Sequence, residues 1–503
     1  MTSTGSTDQL LARREELTIP WTGLFIGGEF VGSADESTFA SFDPSTGRRI
    51  AEVSEAKAAD VDRAVSAAKR AQPGWGRMDM SDRAAIVRRA GELLEQRADE
   101  IGLLEALDAG KPVDQAVSQV RLAGETFEYW SRVAHELRTW VVPHANDALN
   151  YTLREPVGVV GIITPWNYPL LVYAESVPAA LAIGNSVVLK PAEQTPLTAL
   201  VLAEVLRDAG VPDGVFNVVN GYGPVAGTAL VEHEAVAMIC FTGSTAVGSA
   251  IAERAGRALK RVTLELGGKA PNIIFPDADL EAALRASLFS FSINQGQLCS
   301  AGTRLLVHND IHDEVVGELV KRARGLRVGD PFERGTDLGA VIDQSQLEKI
   351  VRYVQLGSHA GAELLTGGDP PRLGPPCEDG WFYRPTVFAG VESRMRIAQD
   401  EIFGPVLSVL RFATVEEAAK IANDTMYGLT ASLWTRDLQV AHKLSREIEA
   451  GTIYVNTINA GAPAPHDRYK RSGLGVTGGR EQVEEMTRLK SVYVNLGGPV
   501  PSY

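Results

Sequence analysis

Val157-Gly-Val-Val-Gly-Ile-Ile-Thr-Pro-Trp-Asn-Tyr-Pro169 decides the fold. It is a continuous β-branched run that stops at Thr164-Pro165, and such a run reads as a strand buried on both faces. Moving outward, further short apolar runs follow at Ser186–Leu189, Val215–Val219, Met238–Phe241, Val262–Leu266 and Asn272–Phe275. Between them, Thr198–Ala209 and Ala246–Ala258 are rich in Ala and Leu and favour helix. Apolar strands alternating with helices predict a parallel sheet covered on both sides, with a crevice at the strand ends. The fold class is therefore α/β.

A second alternation follows Leu266-Gly267-Gly268. Strands are predicted at Leu305–Val307, Leu407–Leu410, Ala431–Trp434 and Thr452–Val455, with helices at Ile311–Arg324 and Val415–Asp424. Upstream, Ala56 to Glu105 has helical periodicity that Pro112 breaks. Residues 1–20 read as a loose leader. Ser491–Leu496 alternates as an extended strand far from either core, so it pairs elsewhere or finds a partner chain.

A chain of 503 residues exceeds one ordinary core. Its net charge of -14 lacks the basic footprint that phosphate backbones require, which argues against nucleic acid as partner. Cys240, Cys299 and Cys377 cannot build a disulfide framework, so a reducing compartment is expected. No apolar run is long enough to span a bilayer, and residues 1–20 have no signal-peptide core; cytoplasm is the default reading.

Three glycine stretches invite a phosphate-binding reading. Gly473-Leu-Gly475-Val-Thr-Gly478 matches GxGxxG, but no strand precedes it and too little chain follows, so it reads as a loop or helix entry. Gly221-Tyr-Gly223-Pro-Val-Ala-Gly227 follows a strand and opens a helix, with spacing one residue too long. Phe241-Thr-Gly243-Ser244 also joins strand to helix, where free N–H groups suit a phosphate and where an ordinary βα turn would look the same.

Cys299 lies in Asn294-Gln-Gly-Gln-Leu-Cys-Ser-Ala-Gly302. A lone cysteine is usually a small buried hydrophobe. Three amides and two glycines within reach are a poor recipe for a dry core and would suit a nucleophilic thiol. Glu265 ends a strand beside glycines, where a solvated edge residue and a general base are equally readable. Asn167 sits between prolines, as a turn residue or as a donor to an oxyanion. His308 and His312 are four apart with no third ligand nearby, and no GxSxG, P-loop or HExxH occurs, so no metal site is expected.

Taken together, PWNYPL at 165–170, KPAEQTPL at 190–197, FTGSTAVG at 241–248, LELGGKAPNIIF at 264–275, NQGQLCSAGTR at 294–304 and EIFGPVLSV at 401–409 closely resemble the aldehyde dehydrogenase superfamily, from about Leu24 to Leu496. The resemblance implies a Rossmann-like cofactor domain (residues 21–140 and 157–266), an α/β catalytic domain (267–480) and a β oligomerisation arm (141–156 and 481–503). It implies that Cys299 attacks the carbonyl, that Asn167 and the Cys299 N–H hold the oxyanion, and that Glu265 is the general base. NAD is the implied cofactor, a homodimer or homotetramer the implied assembly. Lys190 and Glu193 would hold the adenosine ribose, where a carboxylate accepts from a 2′-hydroxyl and repels a 2′-phosphate. Gly223 and Gly227 would admit the adenine, and Gly243 and Ser244 the pyrophosphate. Thr164, Pro165, Trp166 and Leu266 fall along the same crevice, Glu401 would bond the nicotinamide ribose, and Phe403 would lie beside the ring.

Departures from the family pattern bear on substrate. Glu175-Ser176 stands where many relatives have tryptophan and lysine. A tunnel-facing Glu175 would favour a cationic or strongly polar aldehyde; a solvent-facing or ion-paired one would not. Thr457–Pro465 holds no aromatic, and His466-Asp467-Arg468-Tyr469-Lys470 puts Asp-Arg where Gly-Gly is usual. A CoA-acylating semialdehyde dehydrogenase and a catalytically silent NAD-binding protein are the rival readings; Glu265 argues against the first, and Cys299, Glu265 and Asn167 together against the second.

Overall fold

The computed structural model describes residues 6–143, 147–458 and 464–497. Two sheets organise it. The first has eight strands, running Glu29–Val31, Leu24–Ile26, Phe216–Val218, Ser186–Lys190, Val159–Ile163, Val236–Thr242, Arg261–Glu265 and Gly473–Leu474. The five from Phe216–Val218 to Arg261–Glu265 are parallel. Every residue of Val159–Ile163 and of Ser186–Lys190 is buried. Alternate side chains enter different cores: Val188 joins Val61, Ala64 and Val65 of the Ala58–Arg77 helix, while Val187 and Leu189 join Tyr173 and Leu200. This period-two split is what a sheet covered on both faces requires.

The second sheet has seven strands, in the order Glu363–Thr366, Thr386–Ala389, Val406–Phe412, Arg304–His308, Pro271–Ile274, Thr430–Trp434 and Thr452–Val455. All its pairings are parallel except that of Glu363–Thr366 with Thr386–Ala389. The chain passes from the first sheet to the second between Glu265 and Pro271, across Gly267-Gly268. A third sheet pairs Thr487–Asn495 with Ala148–Pro156, which in turn pairs with Val141–Val142.

Some expected boundaries differ. The Ala56–Glu105 pattern resolves into three helices, Ala58–Arg77, Met80–Gln96 and Ala98–Ala109. The last stops at Gly110, whose φ of 70° is a left-handed helix end that glycine adopts without strain. Residues 7–16 are not loose. They form a helix capped by Ser6, with Leu10 buried and Arg14 paired to Asp43 and to Asp330, so packing and charge override the polar composition. Ahead of the strand Thr487–Asn495, Gly479–Glu485 is a helix whose Val483 enters the core of the first sheet. Gly473–Leu474, expected in the unit of residues 267–480, adds an antiparallel edge strand to the first sheet. The GxGxxG stretch is accordingly an edge strand followed by a helix entry at Gly478.

Candidate active site

Many of the predicted site residues lie at the carboxyl ends of the first sheet's parallel strands. Thr164, Pro165, Trp166 and Asn167 follow Val159–Ile163; Lys190 ends Ser186–Lys190 and Glu193 follows it; Gly243 and Ser244 follow Val236–Thr242; Glu265 ends Arg261–Glu265 and Leu266 follows it. This is the crevice position for ligands in open parallel sheets. Lys190 is buried, its Nζ donates to the Pro191 carbonyl at 2.7 Å, and it reaches Glu193 Oε2 at 3.4 Å. Burial pulls the Lys190 ammonium down, and Glu193 opposes that pull. Gly227 lies against the Lys190 stem, 3.6 Å from Cδ to the position of an added Cβ, whereas an added Cβ at Gly223 would meet open space. Ser244 caps the helix Thr245–Arg257, accepting from Val247 N at 3.3 Å, and Leu266 packs where Gly248 leaves room.

Cys299 is reached from the second sheet. Asn294, Gln295 and Gly296 are consecutive left-handed residues with φ of 48°, 57° and 70°, a tight reversal that carries the loop back toward Asn167. The amides around Cys299 act as struts. Asn294 Nδ2 donates to the Asn167 carbonyl at 2.8 Å, and Gln297 Oε1 accepts from Ile342 N at 3.0 Å. Asn167 Nδ2 donates to the Gln297 carbonyl at 2.9 Å, leaving the second N–H of that amide outside any hydrogen bond among the described residues. These amides carry structure around Cys299, a residue of intermediate exposure.

Gly267 and Gly268 have steric reasons to be glycine. An added Cβ at Gly268 would lie 2.3 Å from the Cys299 carbonyl, and one at Gly267 would lie 2.6 Å from Glu401 Oε2. The crossover between sheets thus touches both the Cys299 loop and Glu401, whose Oε1 accepts from Gly268 N at 3.0 Å. Burial pushes the Glu401 carboxyl up, opposed by the Gly268 N–H, Lys349 and Lys269. Phe403, at φ of 61°, meets Trp166 edge-on with ring centroids 5.3 Å apart.

Charge around the thiol is negative. Burial pushes Cys299 up to about 12, and the carboxylates of Glu401 and Glu175 add to the rise. Glu175, on the helix Pro169–Ala182, is partly buried; desolvation pushes it up to about 7, and Arg468 opposes. It forms no ion pair among the described residues. Glu265 has a partner instead: Arg468 Nε donates to Glu265 Oε2 at 2.7 Å, and Arg468 Nη2 meets Oε1. Residues 459–463 of the aromatic-free stretch lie outside the described residues. His308 bonds the Ala413 carbonyl, and among the described residues no His, Cys, Asp and Glu cluster could hold a metal.

Sequence reasoning missed the support beneath Asn167. Lys111, fully buried, donates to Glu105 Oε1 at 2.8 Å, Gln119 Oε1 at 2.6 Å and the Asn167 carbonyl at 3.0 Å. A lysine within the apolar stretch Ile101–Val113 was the available signal. Lys269 was also missed: it is buried beside Glu401, and burial with Arg304 nearby pulls it down to about 7.

The chain is similar to known proteins over nearly its whole length. The sequence model of the aldehyde dehydrogenase family matches residues 30–492. An aldehyde dehydrogenase from Enchytraeus buchholzi is 44% identical over 486 residues, covering 95% of this chain and 97% of that protein. The mitochondrial aldehyde dehydrogenase of Homo sapiens is 42% identical over 500 residues, covering 98% and 96% respectively. An aldehyde dehydrogenase from Bacillus cereus, solved as its NAD+ complex, superposes with a TM-score of 0.93 at 40% identity, covering 96% of this chain and 98% of that one.

Proposed function

Because the chain belongs to the aldehyde dehydrogenase family, we propose that it oxidises an aldehyde to the carboxylic acid with NAD, through Cys299 as nucleophile. The observation that carries this reading is the convergence of three loops: Asn167 bonds the carbonyl of Gln297, and Gly268 backs onto Cys299 while holding Glu401. A thiol pushed up to about 12 is uncharged at neutral pH, so a base must take its proton as sulfur bonds to the carbonyl carbon. The free N–H of Asn167 and the Cys299 backbone N–H would hold the oxyanion. NAD supplies the hydride acceptor. Glu265 would then take a proton from the water that hydrolyses the Cys299 thioester.

The donor set suits the cofactor. Free N–H groups at the start of Thr245–Arg257, with Gly243 and Ser244, suit a pyrophosphate. Lys190 and Glu193 would bond the adenosine ribose, and Glu193 would exclude a 2′-phosphate. Open space at Gly223 suits an adenine, with Gly227 beside it. Thr164, Pro165, Trp166 and Leu266 would line the crevice, Glu401 would accept from the nicotinamide ribose, and Phe403 would flank the ring.

Glu175 supports a cationic aldehyde as substrate: its carboxyl lies within electrostatic reach of Cys299 and is unpaired among the described residues. The two sheets divide the work, with cofactor bound on the first and the nucleophile carried by the second. The sheet of Val141–Val142, Ala148–Pro156 and Thr487–Asn495 would join copies into a homodimer or homotetramer; it exposes Leu149, Leu153, Leu489 and Tyr493. Removing residues 487–503 should leave a monomer in sedimentation, and an unchanged oligomer would move the interface elsewhere. Free Cys240, Cys299 and Cys377 fit a cytoplasmic location, and among the described residues no helix is long and apolar enough to cross a membrane.

NADH formation across an aldehyde panel, with and without CoA, tests the reading when run beside Cys299→Ala. CoA-independent acid formation that is lost in the variant, with NAD binding retained, is expected. Dependence on CoA would place the chain in the acylating branch, and NAD binding without turnover would make it a silent relative.

A further inference from the structure

Arg468 stands where the family pattern has glycine, and it reaches Glu265. Its side chain is fully buried. Nη1 donates to two backbone carbonyls, His466 at 3.0 Å and Gly475 at 2.9 Å, which fixes the guanidinium from behind. In front, Nε donates to Glu265 Oε2 at 2.7 Å. Burial pulls the guanidinium down to about 10, so it remains a cation at neutral pH, with Glu175 and Glu485 supporting its charge. Glu265 itself is anchored by its main chain, whose carbonyl accepts from Gly243 N at 2.9 Å.

We infer that Arg468 restrains Glu265 and thereby makes hydrolysis of the Cys299 thioester the slow step of turnover. The inference rests on the reading of Glu265 as general base. In that step a water oxygen bonds to the acyl carbon, the carbon–sulfur bond breaks, the thiolate departs, and Glu265 accepts the water proton. A carboxylate whose Oε2 accepts from a fixed cation resists that proton, because protonation weakens a charge-assisted hydrogen bond inside the protein. It also cannot turn toward a water without leaving the guanidinium. A glycine at this position leaves the carboxylate free on both counts.

Rapid mixing of the full-length protein with NAD and a reactive aldehyde reads the slow step directly. The protein as it stands should release close to one NADH per active site in a burst, followed by a slower steady rate. Arg468→Met, which keeps an apolar stem, should raise the steady rate roughly three- to tenfold and shrink the burst. Arg468→Lys, which keeps the charge without the fork, should give a smaller gain of about twofold and decides the matter if the methionine variant does not fold. A wild-type protein without a burst, or folded variants whose steady rate is unchanged or lower, would overturn the inference. Glu265→Gln separates the two levels. If it hydrolyses the thioester as fast as wild type, the base assignment itself is wrong. If it is slow while the Arg468 variants match wild type, only the restraint is wrong.

Discussion

Replacing Lys111 with methionine removes one charge from a pair that has no solvent to fall back on. Lys111 and Glu105 side chains are both 0% exposed, with Nζ and Oε1 2.8 Å apart. Methionine keeps most of the apolar stem, so the loss is confined to the ammonium and its three hydrogen bonds. What remains is a buried carboxylate whose one other described donor is Leu170 N, at 3.3 Å. Breaking a buried pair from one side costs about 3–5 kcal/mol. Gln119 loses its donor as well, and we take roughly 4 kcal/mol for the whole change. Removing both charges leaves no stranded ion, so Lys111→Met with Glu105→Leu should recover at least about 2 kcal/mol of that loss. Urea unfolding followed by tryptophan fluorescence, compared by midpoint among the three proteins, measures this. Catalysis should respond too. The Asn167 carbonyl keeps Asn294 as donor but loses Lys111, and the loosened amide should lower kcat roughly tenfold with KM for NAD unchanged. A single variant that loses less than about 1 kcal/mol, or a double variant as unstable as the single, would refute the reasoning.

Further expectations concern charge. Glu193→Gln should narrow the kcat/KM preference for NAD over NADP by roughly tenfold, the worth of one charged hydrogen bond, and an unchanged ratio would remove Glu193 from the ribose site. Glu175→Gln removes a carboxylate that holds the Cys299 thiol up, so alkylation by iodoacetamide at pH 8 should quicken severalfold; the same rate in both proteins would show that Glu175 does not sense the thiol. Desolvation pushes Glu175 up to about 7, so its charged form gains population as pH rises through that value. The kcat/KM ratio of a cationic to a neutral aldehyde should therefore climb between pH 6 and 8 in wild type and stay level in Glu175→Gln.

What the sequence determined by itself was the local chemistry with strong periodicity. Val159–Ile163, Ser186–Lys190 and Val236–Thr242 are continuous apolar runs, and a run buried on both faces has few alternatives to a central parallel strand. The turns after them hold the predicted site residues because loops at these strand ends are where a parallel sheet exposes polar backbone. The helix at Thr7–Glu16 was not legible, because its stability comes from Leu10 and from Arg14 pairing with Asp330, more than three hundred residues away. The same limit hid Lys111, whose partners Glu105, Gln119 and Asn167 come from separate elements. Arg468 could be noticed as a departure in a familiar stretch, but its pairing with Glu265 spans 203 residues and depends on the edge strand at Gly473–Leu474 lying against Arg261–Glu265. Periodicity is a property of neighbours along the chain, so sequence carries it. Burial and charge pairing are properties of neighbours in space, so only the tertiary structure decided that Glu265 is held by Arg468 while Glu175 and Glu401 raise the Cys299 thiol.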